Sequence, residues 1–200
     1  YFIKMMGKKS FCGWIRWIHL YLSMFSFAAL LFFALTGITL NHPSWTENRQ
    51  KVEMLEGNVD LSWIAGTDTS LAEKSAIVDH LKKEHNIRGR LTEFRVSESE
   101  CSLAFDGPGF TAYGMIDRTS GSYELVATSA GIIAAMNDLH KGSYTGSGWN
   151  TAIDIIAAIL IVISLTGFIM IFYMTRKRSK GLWVAILGTL TFVVLCLLLG

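Results

Sequence analysis

Three histidines and one aspartate sit where apolar sequence meets polar sequence, and each is a side chain that can ligate a metal or fix a proton. His19 opens a long uncharged run, His42 closes it, His140 precedes a second run, and Asp154 lies near the start of that second run. An ionisable group in or beside hydrocarbon is costly to keep there, so all four are candidates for function. Paired imidazoles held by helices across an apolar slot are the ligand set of a b-type haem. The covalent c-type signature Cys-x-x-Cys-His is absent.

Spacing limits which of these can act together. His19 and His42 are 23 residues apart, roughly 34 Å of helix, so they belong to opposite membrane faces and cannot share a metal within one chain. His42 and His140 reach the same face and can share one. For His19, hydrogen bonding to lipid headgroups and axial ligation both stay open. Arg16 is one turn from His19 and reads either as a partner for a haem propionate or as a basic flanking residue. Asp154 reads either as the acceptor that fixes a ligand imidazole's tautomer or as a capping carboxylate. Trp14, Trp17, Phe25, Phe27, Phe32, Phe33 and Trp149 suit an apolar slot, although aromatic residues also anchor membrane boundaries.

The elements that must position these residues follow from hydropathy and charge. No Lys, Arg, Asp or Glu occurs from Ile18 to Ser44, and two further apolar runs follow, Ile155 to Thr175 and Leu182 to Leu199. Each comes close to the roughly 20 helical residues that cross a bilayer. We therefore expect a membrane α-helical protein with spans at 18–41, 150–175 and 182–199, associated with lipid. The third run is the shortest and is expected to be able to continue beyond the sequence. Segment 1–17 and the link 176–181 are short and purely basic (Lys4, Lys8, Lys9, Arg16; Arg176, Lys177, Arg178, Lys180), whereas 42–149 holds ten basic and fifteen acidic residues. The positive-inside rule then places the N-terminus and the basic link in the cytoplasm and exports the middle segment. The net charge of +2 averages two compartments and gives no sign of nucleic-acid binding. The first run is too long for a secretory signal, and no small-residue cleavage site follows Leu40.

The exported segment reads as one small α+β domain. Ser70-Leu71-Ala72-Glu73 has the form of a capping box, and Leu71, Ile77, Val78 and Leu81 mark one face of a helix ending near Asn86. Partly alternating strands are expected at Arg90–Val96, Cys101–Phe105, Phe110–Ile116 and Tyr123–Thr128, forming an antiparallel meander under that helix. His80 and His85 are expected to be solvated among Asp79, Lys82, Lys83 and Glu84. Residues 130–140 read as a short amphipathic helix along the membrane surface, delivering His140 to the boundary. Cys12, Cys101 and Cys196 fall in different compartments and read as isolated small hydrophobes.

Two patterns mark the span helices. His19, Ser23, Ser26, Leu30, Phe33 and Gly37 recur at alternating steps of four and three, forming one stripe, and Asn150, Asp154, Ala157 and Ser164 form another. Small and hydroxyl residues on a helix face admit a second helix or a flat cofactor. Both helices also carry Leu-Thr-Gly, at Leu35-Thr36-Gly37 and Leu165-Thr166-Gly167. Because the helices run in opposite directions, these copies lie near opposite faces. That fits an inverted arrangement with a cofactor near each face, and it also fits chance.

The Trp-Ile-His start of the first span, the two Leu-Thr-Gly tripeptides, the turn Asp117-Arg-Thr-Ser-Gly121 and the segment Asp138-Leu-His-Lys-Gly142 together resemble the PepSY-associated transmembrane family. The resemblance runs from about Trp14 to Tyr173. It implies a bacterial inner-membrane protein whose middle domain is a periplasmic PepSY-like domain inserted between the first two spans. It also implies iron acquisition: some members are haem-b reductases of ferric iron or ferric siderophores, with His19 and His140 here as axial ligands. His42 rests on the geometric argument above. The chain departs from the larger reductases in having three spans and few histidines. A haem at the cytoplasmic face would have only His19 from each chain, so a second ligand is expected from a partner copy in a homodimer. No nucleotide-binding glycine fingerprint occurs in the cytoplasmic segments, so a quinol or a partner reductase is expected as electron donor. The competing expectation is a non-enzymatic, membrane-anchored PepSY module that binds a partner protein or peptide.

Overall fold

The computed structural model describes residues 8–47, 50–64, 71–174 and 177–200. Three helices in it are long and apolar enough to cross a membrane: α1 (Lys8–Leu40), α5 (Ser147–Tyr173) and α6 (Arg178–Leu199). Between α1 and α5 lie a short helix α2 (Ser44–Glu47), strand β1 (Lys51–Asn58), helix α3 (Leu71–His85), strands β2 (Arg90–Val96), β3 (Glu100–Gly107), β4 (Phe110–Asp117) and β5 (Ser122–Ser129), and helix α4 (Gly131–Lys141). At 33 residues, α1 is about 50 Å long, well beyond the hydrocarbon thickness. Pro43 follows its last turn and cannot continue it. The chain divides into two compact units, Tyr1–Leu31 with Thr151–Gly200, and Phe32–Asn150.

The second unit is built on an antiparallel sheet in the order β1-β5-β4-β3-β2. Four strands lie where alternation places them: β2 has the expected bounds, and β3, β4 and β5 run on past theirs. The fifth, β1, pairs along its whole length with β5, from Lys51 opposite Ser129 to Asn58 opposite Ser122. Along β3, β4 and β5, every second residue is buried, because successive side chains point to opposite faces. Leu103, Phe105, Ile116 and Leu125 from that face pack with Ile77 and Leu81 of α3. Gly114 belongs to the same face because a Cβ there would press on the Leu125 side chain. The opposite face leaves Val52, Met54, Tyr113, Met115 and Val126 exposed, with Met54, Val126 and Tyr113 in one cross-strand row. The capping box proposed at Ser70 lies outside the described residues.

The domain histidines are not solvated as expected. His85 Nε2 lies 2.7 Å from Tyr123 Oη, and His80 meets the edges of Trp63 and Tyr123. They lean onto the sheet because β1 presents Gly57 opposite Tyr123, where a Cβ would collide with the phenol ring. The ring therefore crosses the edge strand toward α3. Burial, and to a lesser extent Glu84, pushes the Tyr123 hydroxyl above its ordinary range. Burial likewise raises the Cys101 thiol, with Arg118 opposing, in keeping with a packed rather than reactive cysteine.

The Asp117 turn is held by one carboxylate. Asp117 Oδ1 accepts from Thr119 N–H (2.7 Å) and Ser120 N–H (3.0 Å), and Gly121 closes the turn at φ +76°, a conformation open to glycine. Those two backbone donors, Ser120 first, hold the Asp117 carboxyl below its ordinary value. A depressed folded-state pKa gives stability that is complete above the ordinary carboxylate range near 3.9 and is lost as pH falls through the lower folded value. Asp117→Asn keeps the acceptor oxygen and removes the titration. Its acid unfolding curve should therefore be flatter than that of the unsubstituted protein below about pH 4. Superimposable curves would show that the turn does not carry this linkage.

Candidate functional site

Two of the singled-out histidines are seated in matching ways, one in each compact unit. In the Phe32–Asn150 unit, α4 ends in the Asp138-Leu-His-Lys-Gly142 segment, and its geometry explains why those residues occur together. Asp138 Oδ2 accepts from Gly109 N–H (2.9 Å) in the β3–β4 turn, which ties the helix to the sheet. Gly142 takes the left-handed conformation at φ +69°, and Ser143 N–H reaches back to Asp138 O (2.9 Å), ending the helix in a Schellman-type cap. Leu139 O accepts from Trp149 Nε1 (2.8 Å). His140 and Asn137, one turn apart on α4, then meet Thr36 and Thr39, one turn apart on α1. Thr36 Oγ1 lies 2.6 Å from His140 Nδ1, and Thr39 Oγ1 donates to Asn137 Oδ1 (2.5 Å). The His140 ring is set edge-on to Phe33 at 4.9 Å, and its Cε1 is the atom that a Cβ at Gly37 would meet. The helix expected along the membrane surface thus docks on the last turns of α1.

In the other unit, His19 of α1 meets α5. His19 Nδ1 is 3.1 Å from Thr166 Oγ1 and 3.1 Å from Ile163 O. A Cβ at Gly167 would stand 3.1 Å from His19 Cε1, so alanine there would crowd the ring. Each Leu-Thr-Gly therefore sets a threonine against Nδ1 of a histidine on another helix with glycine beside the ring, but only Gly167 is tight; a Cβ at Gly37 would meet His140 Cε1 at an ordinary 3.9 Å. Thr36 and Thr166 are both buried, at 1% and 6% exposure, although each is polar and within a span. Burial of a hydroxyl in such a place requires a partner, and the imidazole together with the helix's own carbonyls supplies it.

The remaining singled-out residues are placed differently. His42 is exposed; its Nδ1 donates to Ile38 O (3.0 Å) of its own helix, and its ring stacks on Trp45 at 4.6 Å. His42 and His140 thus have separate partners and are not joined among the described residues. Arg16 and Asp154 are exposed. The described side-chain contacts of His140 and His19 Nδ1 are instead with Thr36 and Thr166. The threonines are visible in the sequence only as a repeated tripeptide; a hydroxyl residue one step before glycine, recurring in two spans, is the available signal.

The two imidazoles fit an axial-ligand role. Nδ1 is occupied by the protein in both, while Nε2 has no hydrogen-bond partner among the described residues, and metal-ligating histidines characteristically give their other ring nitrogen to such a second partner. Among the described residues there is no cluster of three or more His, Cys, Asp or Glu side chains, so a non-haem metal centre built on several protein ligands is not seen there.

No curated protein and no solved structure matches the chain. A family model does: the one described as PepSY_TM-like aligns with residues 13–199, spanning all three apolar helices and the sheet unit between the first two. The chain belongs to the PepSY_TM-like family.

Proposed function

We propose that this membrane protein is a haem-b electron-transfer protein that reduces ferric iron or a ferric siderophore, with the sheet unit in the periplasm of a bacterial inner membrane. The observation that carries the reading is the paired seating of His19 and His140, each gripped at Nδ1 with Nε2 left for a metal. Basic flanks on both sides of the α1–α5 section favour a cytoplasmic N-terminus. Haem b, when bound, would supply a one-electron couple inside the bilayer. The chain's own contribution is to present imidazoles from helices, where apolar surroundings exclude water, and to hold each ring by a threonine. Arg16, three residues before His19, is the cation available to a propionate. Each ferric ion takes one electron, so one quinol, giving up two electrons and two protons, reduces two ferric ions. Ferrous iron binds hard oxygen chelators more weakly and is released for uptake. A homodimer supplies a second His19 where one chain offers a single ligand.

Full-length protein purified in detergent from cells given ample haem should show a Soret band and a sharp α band on dithionite reduction. In liposomes with a quinol, it should turn a ferrous-specific chelator coloured when ferric chelate is added. A colourless preparation would end this reading. It would leave the second one, a non-enzymatic module that binds a partner protein or peptide, which is favoured by the uncovered face of Val52, Met54, Tyr113, Met115 and Val126.

A further inference from the structure

We propose that Thr36 and Thr166 are positioning residues that fix the His140 and His19 imidazoles with the proton on Nδ1 and the lone pair on Nε2, and that they do so unequally. The proposal deepens the haem reading and its redox consequence rests on it, but the tautomer itself does not.

The argument begins with where each hydroxyl hydrogen goes. A threonine hydroxyl has one hydrogen and two lone pairs. Thr36 Oγ1 donates to Phe32 O at 2.6 Å, and Thr166 Oγ1 donates to Val162 O at 2.8 Å or Ile163 O at 2.9 Å. With the hydrogen spent on its own helix, each oxygen can only accept from the imidazole, so the ring nitrogen facing it is the donor. At His19 the same conclusion follows independently, because Ile163 O, 3.1 Å from Nδ1, is a carbonyl and cannot donate. Nε2 is then the unprotonated, ligating nitrogen of both rings. A ring that donates its Nδ1–H becomes a more basic ligand.

The inequality lies in the number of acceptors. His19 Nδ1–H has two at equal distance, the Thr166 hydroxyl and the Ile163 carbonyl. His140 Nδ1–H has one among the described residues, Thr36, and at 2.6 Å it is the shorter contact. Valine in place of threonine keeps the branched shape and deletes the oxygen. Thr166→Val leaves His19 its carbonyl, whereas Thr36→Val leaves His140 without an acceptor, and its ring becomes free to turn or change tautomer. Ordinary helix packing predicts no such difference, since both threonines are buried and both are followed by glycine.

The test uses the full chain in detergent, labelled with 15N-histidine. In haem-free protein the His140 and His19 rings should both show a protonated Nδ1 and a bare Nε2. Thr36→Val should abolish that signature for His140, Thr36→Ser should restore it, and Thr166→Val should leave His19 unchanged. In haem-loaded protein, Thr36→Val should favour the ferrous over the ferric state by about three- to tenfold. That shift is roughly 30–60 mV upward at 59 mV per decade for one electron. Thr166→Val should move the potential less, and Thr36→Ser should return it. Protonated Nε2 in the unsubstituted protein, or equal effects of the two valine variants, would overturn the proposal. Absence of a Soret band would instead remove the haem reading, while the nitrogen spectra still decide the tautomer.

Discussion

Substituting alanine for His19 or His140 is expected to weaken haem retention at the affected site at least about tenfold, the lower end of the loss seen when even an outer partner of a metal ligand is removed. The double variant is expected to be colourless. The geometry makes this a clean measurement. When the imidazole is deleted, the Thr36 hydroxyl still donates to Phe32 O and the Thr166 hydroxyl still donates to Val162 O, so neither threonine is left with an unsatisfied hydrogen. The cost to the fold is therefore limited to ring packing, and a loss of colour reports the ligand rather than unfolding. His42→Ala is the matched comparison, since that ring is exposed and hydrogen-bonded to its own helix; it should keep its spectrum. Haem stoichiometry unchanged in both single variants would refute the ligand assignment.

The largest effect on stability is expected from Phe105→Ala. Phe105 is fully buried in the middle of the sheet's core face, on β3 between β2 and β4, with the Lys82 ammonium 5.8 Å from its ring centre. Its removal forfeits the transfer energy of the ring and leaves a cavity that Leu103, Ile77 and Leu81 cannot close without distorting the sheet, a cost of about 3–5 kcal/mol. Hydrogen exchange of the full chain in detergent should show the β3 and β4 amides losing protection, while span amides stay protected. A loss below about 1 kcal/mol would be too small for a fully buried phenylalanine and would place the core elsewhere.

The sheet shows where pattern reading stops. β3, β4 and β5 are legible because one face is buried and the other is not, so apolar and polar residues alternate along them. β1 escapes because it is an edge strand. Its residues Lys51-Val52-Glu53-Met54-Leu55-Glu56 are mostly exposed on both faces, and its partner β5 lies some seventy residues away. Nothing local announces that pairing. Gly57 and Tyr123 are similarly silent alone. Only their register draws the phenol over the edge and brings its hydroxyl to His85.

The three apolar helices were determined by sequence, because a bilayer leaves backbone polar groups no partner except their own helix, and a run of about 20 apolar residues has few other fates. The positions of His19 at the start of one such run and of His140 shortly before another are legible for the same reason. What the sequence left open was the partner of each imidazole. Asp154 reads as one acceptor for an imidazole and His42 as a ligand able to share a metal with His140, since charged and ligating side chains draw attention, whereas Thr36 and Thr166 look like ordinary span residues. The tertiary structure sets Thr36 and Thr166 against the two Nδ1 atoms: hydrogen bonding is short-ranged and directional, so the partner is whichever atom the packing brings within about 3 Å. Which helices meet, and at which turn, is a property of the folded chain and not of any one of its segments.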